Sequence, residues 1–261
     1  MVYTKLGNGT ETTYIYDKQR ERLQAMNLTA DGQTVMENRY RYDAVDNILG
    51  ITNAANPTSL TKLNKAKLGG RSSHTYEYDE LNRLVHANGK AKRASYDMVI
   101  WIQTPRPNTT PGPPVSWNDP SNPDDPQAGY GYIPNDTTRE ETFFYHSDHL
   151  GSTSYITDEH ANITQYDAYL PYGELLVDEH SSSEDLPYKF NGKQFDEETG
   201  LYYYGARYMN PVTSLWYGVD PLTEKYPDIS SYSYCHNNPI LLVDPDGAYP
   251  IITITKQIRI E

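Results

Sequence analysis

Three copies of a tyrosine–aspartate pattern constrain most what this chain can fold into. The pattern Y-x-Y-D begins at Tyr14, Tyr40 and Tyr76, in the stretches "YIYDKQRERL", "YRYDAVDNIL" and "YEYDELNRLV". Alternating tyrosines favour a β-strand, and the aspartate with the polar residues after it favours a tight turn. Each copy therefore predicts a strand, a turn and a returning strand. Such hairpins cannot bury a face alone, so we expect them to stack side by side.

Short alternating segments also dominate the second half of the chain. The segments "STSYIT" and "ITQYDAY" are separated by turn clusters such as "DEHAN" and "LPYG", which predicts an all-β fold with little helix. One short helix is expected at "DPLTEKY", with Asp220 as its N-cap and Pro221 at its first position. The apolar run 240–243, between "NNP" and "DPDG", predicts a short buried strand closed by a turn.

Proline divides the chain. Nine of its 18 prolines lie between residues 104 and 134, where they would interrupt helices and central strands alike. This stretch is predicted to be a linker or a surface insertion. We therefore expect four parts, namely hairpins (1–103), the proline-rich stretch (104–134), a second β domain (135–247) and a short C-terminal region (248–261).

Composition excludes several classes of protein. A net charge of −13 argues against a nucleic-acid binder, which usually carries a basic face. No apolar run reaches the roughly 18 residues of a membrane span, and no signal peptide is predicted at the N-terminus. The single cysteine, Cys235, excludes an internal disulfide. Tyrosine outnumbers phenylalanine plus tryptophan 25 to 7, which suits sheets with one half-solvated face.

From Phe143 to Gly247 the chain resembles the RHS repeat-associated core domain of the Rhs (YD-repeat) family. The resemblance rests on "FFYHSDHLGSTSYITD", "FDEETGLYYYGARYMNP" and the final "NNPILLVDPDG", and the upstream Y-x-Y-D units are similar to the repeats that precede that domain. It implies a partial Rhs-type β-shell wound from hairpins, with the core domain in residues 135–247. It also implies that residues 248–261 begin a variable C-terminal region.

The same resemblance implies a function. By the resemblance, the chain would be a structural, encapsulating shell segment of a polymorphic toxin used in bacterial competition, exported or placed at the cell surface by a specialised secretion route. Its implied partners are a toxin cargo or further shell repeats of a longer chain, together with immunity or secretion proteins. It further implies an intramolecular aspartyl self-cleavage just after the DPDG motif, around Gly247 and Ala248, at most once per chain and without a cofactor.

By the resemblance, the protease residues are Arg207, Asp220 and Asp244. Two carboxylates held close share one proton, so one can polarise a carbonyl group while the other activates water, and an arginine can keep one ionised. Structural roles compete with this interpretation. Asp220 suits a helix cap, Asp244 suits a turn, and Arg207 would suit an ion pair with the acids of "FDEETG".

One departure from the family pattern concerns this site. The family usually continues with Asp-Pro-x-x-Gly-Arg-Phe after the Arg-Tyr pair, whereas this chain has "NPVTSLW", with Asn210, Ser214, Leu215 and Trp216. The missing Gly-Arg pair calls into question the local turn and the electrostatics of the site.

Other candidate sites have less support. His146, Asp148 and His149 lie close in sequence, but no further ligand pair accompanies them, so no metal site is predicted. Cys235 and His236 are neighbours that would point apart on a strand, which favours a structural cysteine. An alternative function from another class is a non-catalytic cell-surface or carbohydrate-binding β module that presents exposed tyrosine rings.

Overall fold

Eight antiparallel strands in chain order form the largest sheet. A computed structural model describes residues 2–92, 94–99, 142–181 and 186–252. The order of this sheet, β1 to β8, follows the sequence, so each strand pairs with the next. Its strands are β1 (Val2–Lys5), β2 (Glu11–Tyr16), β3 (Leu23–Ala30), β4 (Gln33–Tyr42), β5 (Ile48–Asn53), β6 (Ser72–Tyr78), β7 (Leu84–Lys90) and β8 (Ser95–Val99).

The three Y-x-Y-D units form the hairpins that the sequence predicts. Each tyrosine pair ends a strand, and the aspartate that follows accepts backbone N–H groups of the turn. Asp43 Oδ1 accepts from Val45 and Asn47 at 2.9 Å each. Asp79 Oδ1 accepts from Leu81 and Arg83 at 3.0 and 2.9 Å. The side chain thus closes the turn that the backbone alone would leave unsatisfied.

The second half contains three smaller antiparallel sheets. The order of the first is β12-β11-β10-β9, that of the second is β13 to β16, and the third is a pair. The strands are β9 (Phe144–Ser147), β10 (Thr153–Thr157), β11 (Ile163–Tyr169), β12 (Leu175–His180), β13 (Gln194–Asp196), β14 (Leu201–Tyr203), β15 (Tyr208–Asn210), β16 (Leu215–Trp216), β17 (Leu242–Val243) and β18 (Ile251–Ile252). The helices of the described residues are short 3₁₀ turns, Pro57–Ser59, Phe190–Gly192, Thr223–Lys225 and Tyr234–Asn237. None of them is long and apolar enough to cross a membrane. The all-β fold is confirmed.

Two apolar cores hold these sheets together. The first lies between the eight-stranded sheet and the β9–β12 sheet, where Met26, Ile48 and Leu84 meet Tyr155 and Ile163. The second is aromatic and lies beneath the β13–β16 sheet. It consists of Leu150, Tyr172, Phe190, Tyr202, Tyr204, Met209, Trp216, Tyr234 and Cys235. Buried tyrosines can bond through their hydroxyls, as Tyr204 and Tyr234 do at 3.0 Å, so the tyrosine-rich composition fills a core as well as a half-solvated face.

Two local predictions were wrong in detail. The helix expected from Asp220 is a single 3₁₀ turn at Thr223–Lys225 with Leu222 as its N-cap. Pro227 disfavours helical geometry at Tyr226, so the segment stops after one turn. The strand expected at 240–243 is reduced to Leu242–Val243, because the N–H groups of residues 241 and 242 both bond to the Asn238 carbonyl and keep the chain turning.

The other sequence expectations have different outcomes. Cys235 and His236 do not lie on a strand, because both belong to a turn with left-handed φ angles of 47° and 52°. The proline-rich stretch 104–134 falls outside the described residues. The four-part division of the chain therefore stays a prediction.

We predict that acid destabilises the fold through buried histidines. Burial lowers the pKa of His146 to about 4, and Thr157 bonds its Nε2 at 2.8 Å. The unfolded chain, with a histidine pKa near 6.5, therefore binds more protons between about pH 6.5 and pH 4, and stability falls as the pH drops through that window. Between about pH 7 and pH 4.5, the free energy of unfolding of His146→Gln should fall by about 2 kcal/mol less than that of the natural chain. Urea unfolding at the two pH values measures the difference.

A matched control is His160→Gln, because the His160 side chain is 72% exposed. This variant should keep the full acid sensitivity of the natural chain. Equal pH dependence of all three proteins would show that His146 does not contribute.

Candidate functional site

The turn after β17 is built around one buried carboxylate. Asp244 Oδ1 accepts the N–H groups of Asp246, Gly247, Ala248 and Tyr249 at 3.3, 2.8, 3.1 and 3.3 Å. Gly247 has a φ of +80°, and a Cβ there would lie 3.0 Å from the Arg207 backbone nitrogen. Only glycine satisfies both the left-handed backbone and this close approach. The "DPDG" sequence is therefore specified by its own geometry.

Arg207 joins this turn to the β14–β15 hairpin. Its Nε donates to the Gly247 carbonyl oxygen at 2.5 Å, and its Nη1 donates to the Ser231 carbonyl oxygen at 3.1 Å. The guanidinium carbon lies 4.3 Å from the centre of the Trp216 ring, a cation–π contact. The backbone adds one more bond, from Ala206 N–H to the Asp246 carbonyl oxygen at 2.9 Å. Two hydrogen bonds and a ring contact therefore fix the position of the Arg207 guanidinium.

The three predicted site residues lie together around this guanidinium. Arg207 Nη2 is 2.9 Å from Asp220 Oδ2 and 3.6 Å from Asp244 Oδ2. The side chains of Arg207 and Asp244 are 3% and 1% exposed, whereas that of Asp220 is 21% exposed. Arg207 therefore pairs with these two acids rather than with those of "FDEETG", and one of the two carboxylates still reaches solvent.

Burial makes the two carboxylates unequal. It raises the pKa of Asp244, although the backbone N–H groups and Arg207 oppose that shift. Burial also lowers the pKa of the Arg207 guanidinium, against the attraction of Asp220 and Asp244, yet an arginine remains charged at neutral pH. A buried carboxyl group with a raised pKa, a second carboxylate paired with arginine and a fixed cation together suit general acid–base chemistry.

The Gly247–Ala248 peptide bond lies inside this arrangement. Its carbonyl oxygen accepts from Arg207 Nε, and its N–H is shared between Asp244 Oδ1 and Asp246 Oδ1, at 3.1 and 3.0 Å. A cation on the carbonyl oxygen favours the negative charge that develops when a nucleophile adds to the carbonyl carbon. The resemblance implied cleavage around Gly247 and Ala248. The peptide bond between these two residues is polarised at both its carbonyl oxygen and its N–H group.

The missing Gly-Arg pair leaves the local turn intact. Ser214, which stands in place of the glycine, has a φ of +61°, a left-handed conformation that glycine would adopt without strain. Asn210 Oδ1 accepts the N–H groups of Val212 and Thr213 at 2.9 and 3.1 Å and closes the turn into β16. Trp216, at the end of the altered stretch, supports the guanidinium of Arg207.

Sequence reasoning did not assign two further neighbours to the site. Tyr226 and His236 help to line a cavity of about 20 Å³ that Arg207, Asp220 and Asp244 also line. His236 faces this cavity because residues 235–237 form a left-handed turn. No sequence pattern predicts such a turn at a Cys-His-Asn triplet. Tyr226 is separated from Asp220 by one short turn. The turn expected at "DPLTEKY" could therefore have been used to predict that Tyr226 lies near the site.

The histidine-rich segment before β10 has structural contacts. Asp148 Oδ1 accepts the N–H groups of Leu150 and Ser152 at 2.8 and 2.9 Å, as in a Y-x-Y-D turn. His146 bonds to Thr157, and His149 Nε2 lies 3.3 Å from the Ile240 carbonyl oxygen. Within the described ranges no three histidine, cysteine, aspartate or glutamate side chains are grouped to hold a metal ion.

Comparisons with known proteins find relatives among bacterial toxin proteins and in an insect surface protein. The tRNA3(Ser)-specific nuclease WapA of Bacillus spizizenii is 28% identical over 255 residues, 94% of this chain and 10% of WapA. Toxin subunit YenC1 of Yersinia entomophaga is 32% identical over 120 residues, 45% of this chain and 12% of YenC1. Salivary gland surface protein 1 of Aedes aegypti is 37% identical over 108 residues, 41% of this chain and 3% of that protein.

A solved structure has the same fold. A chain of the TcdB2-TccC3-Cdc42 crystal structure aligns with a TM-score of 0.67 at 17% identity, covering 95% of this chain and 19% of that chain. No family model matches the chain. The WapA and YenC1 relatives are Rhs-type toxin proteins, and this chain spans about a tenth of the length of each.

We predict that Arg207 contributes heavily to stability. Arg207→Met should lower the free energy of unfolding by about 3 kcal/mol, because it leaves the buried Asp244 without its cation. Urea unfolding at neutral pH measures the effect. The control is Arg39→Met, whose guanidinium pairs with Glu37 at 65% exposure and should cost less than about 1 kcal/mol. Equal losses in the two variants would contradict the central role of Arg207.

Proposed function

We propose that this chain is a shell segment of an Rhs-type polymorphic toxin that cuts its own backbone once, at the Gly247–Ala248 bond. One observation carries the proposal. Arg207 binds the Gly247 carbonyl oxygen at 2.5 Å while the same guanidinium lies 2.9 Å from Asp220 and 3.6 Å from Asp244. A turn or an ion pair alone does not require the carbonyl of one particular peptide bond to meet a buried cation beside two acids.

The first step assigns the base to Asp220. Its carboxylate is ion-paired with Arg207 and partly exposed, so it can accept a proton from a water molecule that enters from solvent. The water oxygen then adds to the Gly247 carbonyl carbon. Arg207 Nε, already on that carbonyl oxygen, stabilises the oxyanion of the tetrahedral intermediate.

The second step assigns the acid to Asp244. Burial raises its pKa, which favours the protonated carboxyl that a general acid must supply. Its Oδ1 accepts the Ala248 N–H at 3.1 Å, so the carboxyl group is within reach of the nitrogen. Once the nitrogen becomes pyramidal in the tetrahedral intermediate, its lone pair can take the carboxyl proton as the carbon–nitrogen bond breaks. The products are a carboxylate at Gly247 and a new amino terminus at Ala248. Asp220 returns its proton to solvent, and one turnover needs no cofactor.

The comparisons support the wider role. WapA and YenC1 are many times longer than this chain, and the proposed cut would separate the shell from whatever follows Gly247. We propose that the partners are a toxin cargo or further shell repeats, with immunity and secretion proteins acting on the assembled toxin. Export from a bacterium belongs to the same proposal, as do the core-domain boundaries at residues 135–247.

Self-cleavage predicts a change of mass. The purified chain should release the peptide that begins at Ala248, and Asp220→Asn should remain whole, because asparagine cannot accept the proton of water. Asparagine retains an oxygen that can accept the Leu222 N–H, which Asp220 Oδ1 binds at 2.6 Å, so the turn should survive. Intact-mass spectrometry during incubation measures both proteins.

The matched control is Asp228→Asn, which changes an exposed acid of the same loop and should cleave like the natural chain. Unfolding curves for all three proteins exclude a loss of fold as the cause. If the natural chain and Asp220→Asn remain equally whole, the proposed protease function is wrong.

The proposed acid also predicts a pH profile. The fraction of Asp244 that carries a proton grows as the pH falls towards its raised pKa, so the rate of cleavage should rise from about pH 8.5 to about pH 6.5, by at most about tenfold per pH unit. This range lies above the acid destabilisation expected from the histidines. Single-turnover rates from intact mass give the profile, and a rate that instead falls with acid would contradict the role of Asp244.

A further inference from the structure

Beyond the carboxylates, an aromatic contact crosses the site. The rings of Tyr226 and Tyr249 stack with centroids 5.7 Å apart and planes 29° apart. Tyr249 is the second residue after Gly247, and the residue is 45% exposed. An exposed ring held flat against another lies next to the peptide bond that Arg207 polarises.

Tyr226 is tied to the candidate base by a short rigid turn. The Thr223 N–H donates to the Asp220 carbonyl oxygen at 3.1 Å, and the Tyr226 N–H donates to the Thr223 carbonyl oxygen at 3.2 Å. A hydrogen-bonded segment of seven residues, 220–226, therefore carries both Asp220 and the ring that holds Tyr249.

His236 contacts Tyr226 as well. The two rings have centroids 6.4 Å apart, and His236 lines the same small cavity as the carboxylates. Its backbone is strained, because Cys235, His236 and Asn237 have φ angles of 47°, 52° and 61° in succession. Non-glycine residues are strained in this conformation, and such strain persists where the surroundings enforce it, often at functional sites.

We propose that Tyr226, supported on its other side by His236, acts as a clamp that holds the side chain of Tyr249 and thereby places the Gly247–Ala248 bond on the catalytic groups. Tyr226 is then a positioning residue, and an aromatic residue at 249 is the part of the downstream sequence that the site recognises. This inference rests on the proposed self-cleavage.

The contacts on either side of the clamp explain why it is needed. Upstream, the Gly247 carbonyl is fixed by Arg207. Downstream, the backbone of Tyr249 has only a long bond of 3.3 Å to Asp244 before β18 begins at Ile251. Without the ring stack, the leaving side of the bond would be held by the carboxylates of Asp244 and Asp246 through its N–H groups, and no side chain that the structure describes beyond Gly247 would help to hold it on Asp244.

The clamp predicts a non-additive pair of substitutions. Tyr226→Ala and Tyr249→Ala should each slow cleavage by about threefold to tenfold, since a ring pair of this kind is worth about that factor. The double variant should be no slower than the slower single variant, because either change removes the same contact. Tyr226→Phe keeps the ring and should cleave within about twofold of the natural rate.

The control is Tyr217→Ala, which removes a ring that is 66% exposed and should leave the rate unchanged. Unfolding curves of each variant show whether the fold is intact. Cleavage of Tyr226→Ala at the natural rate, or additive effects in the double variant, would overturn the clamp while leaving the proposed self-cleavage standing.

A second measurement does not depend on cleavage. In the Asp220→Asn background, hydrogen exchange at the Ala248 and Tyr249 amides should accelerate about threefold to tenfold with Tyr226→Ala and remain unchanged with Tyr217→Ala. If the natural chain remains uncut, the proposed protease function is wrong. Exchange rates at the Ala248 and Tyr249 amides that do not change with Tyr226→Ala would show separately that the clamp is wrong.

Discussion

An aspartate side chain that accepts the N–H groups of the turn after it is the interaction on which this structure depends. Asp43, Asp79, Asp148 and Asp158 each accept from the second and fourth residues that follow. In all four turns the third residue has a left-handed φ. Each carboxylate replaces the backbone partners that a tight hairpin turn cannot supply, so successive strands reverse direction in a small space and stack in sequence order.

The candidate site uses the same turn in a different environment. Asp244 also accepts from the residues two and four positions later, and Gly247 has the left-handed φ at the third. Two changes separate it from the hairpin turns. Asp244 is 1% exposed, and a guanidinium lies 3.6 Å away. Burial raises its pKa, and the arginine balances its charge when it ionises. The same backbone design therefore carries a carboxyl group with a raised pKa, as the proposed acid role of Asp244 requires.

The sequence predicted what short-range chemistry determines. Alternating tyrosines and the aspartate after them placed the hairpins of Tyr14, Tyr40 and Tyr76, because strand and turn preferences act within ten residues. The structure of the segment 240–243 was harder to predict. Whether the segment from Ile240 becomes a strand depends on Asn238, whose carbonyl holds two following N–H groups in a turn. Such competition between turn and ladder bonds is not visible in a pattern of apolar residues.

The resemblance named the three residues of the candidate site but gave no indication of their geometry. Resemblance supplied Arg207, Asp220 and Asp244, and no spacing of 13 and 24 residues could show that one guanidinium lies between both acids. The role of His236 was still less accessible, because it follows from three consecutive left-handed residues that sequence preferences disfavour. That strain must be offset by packing of the neighbouring Tyr234 and Cys235, which are 0% and 1% exposed. The aromatic core beneath β13–β16 thus holds the backbone that positions the site. The placement of the candidate catalytic groups therefore depends on the packing of this core.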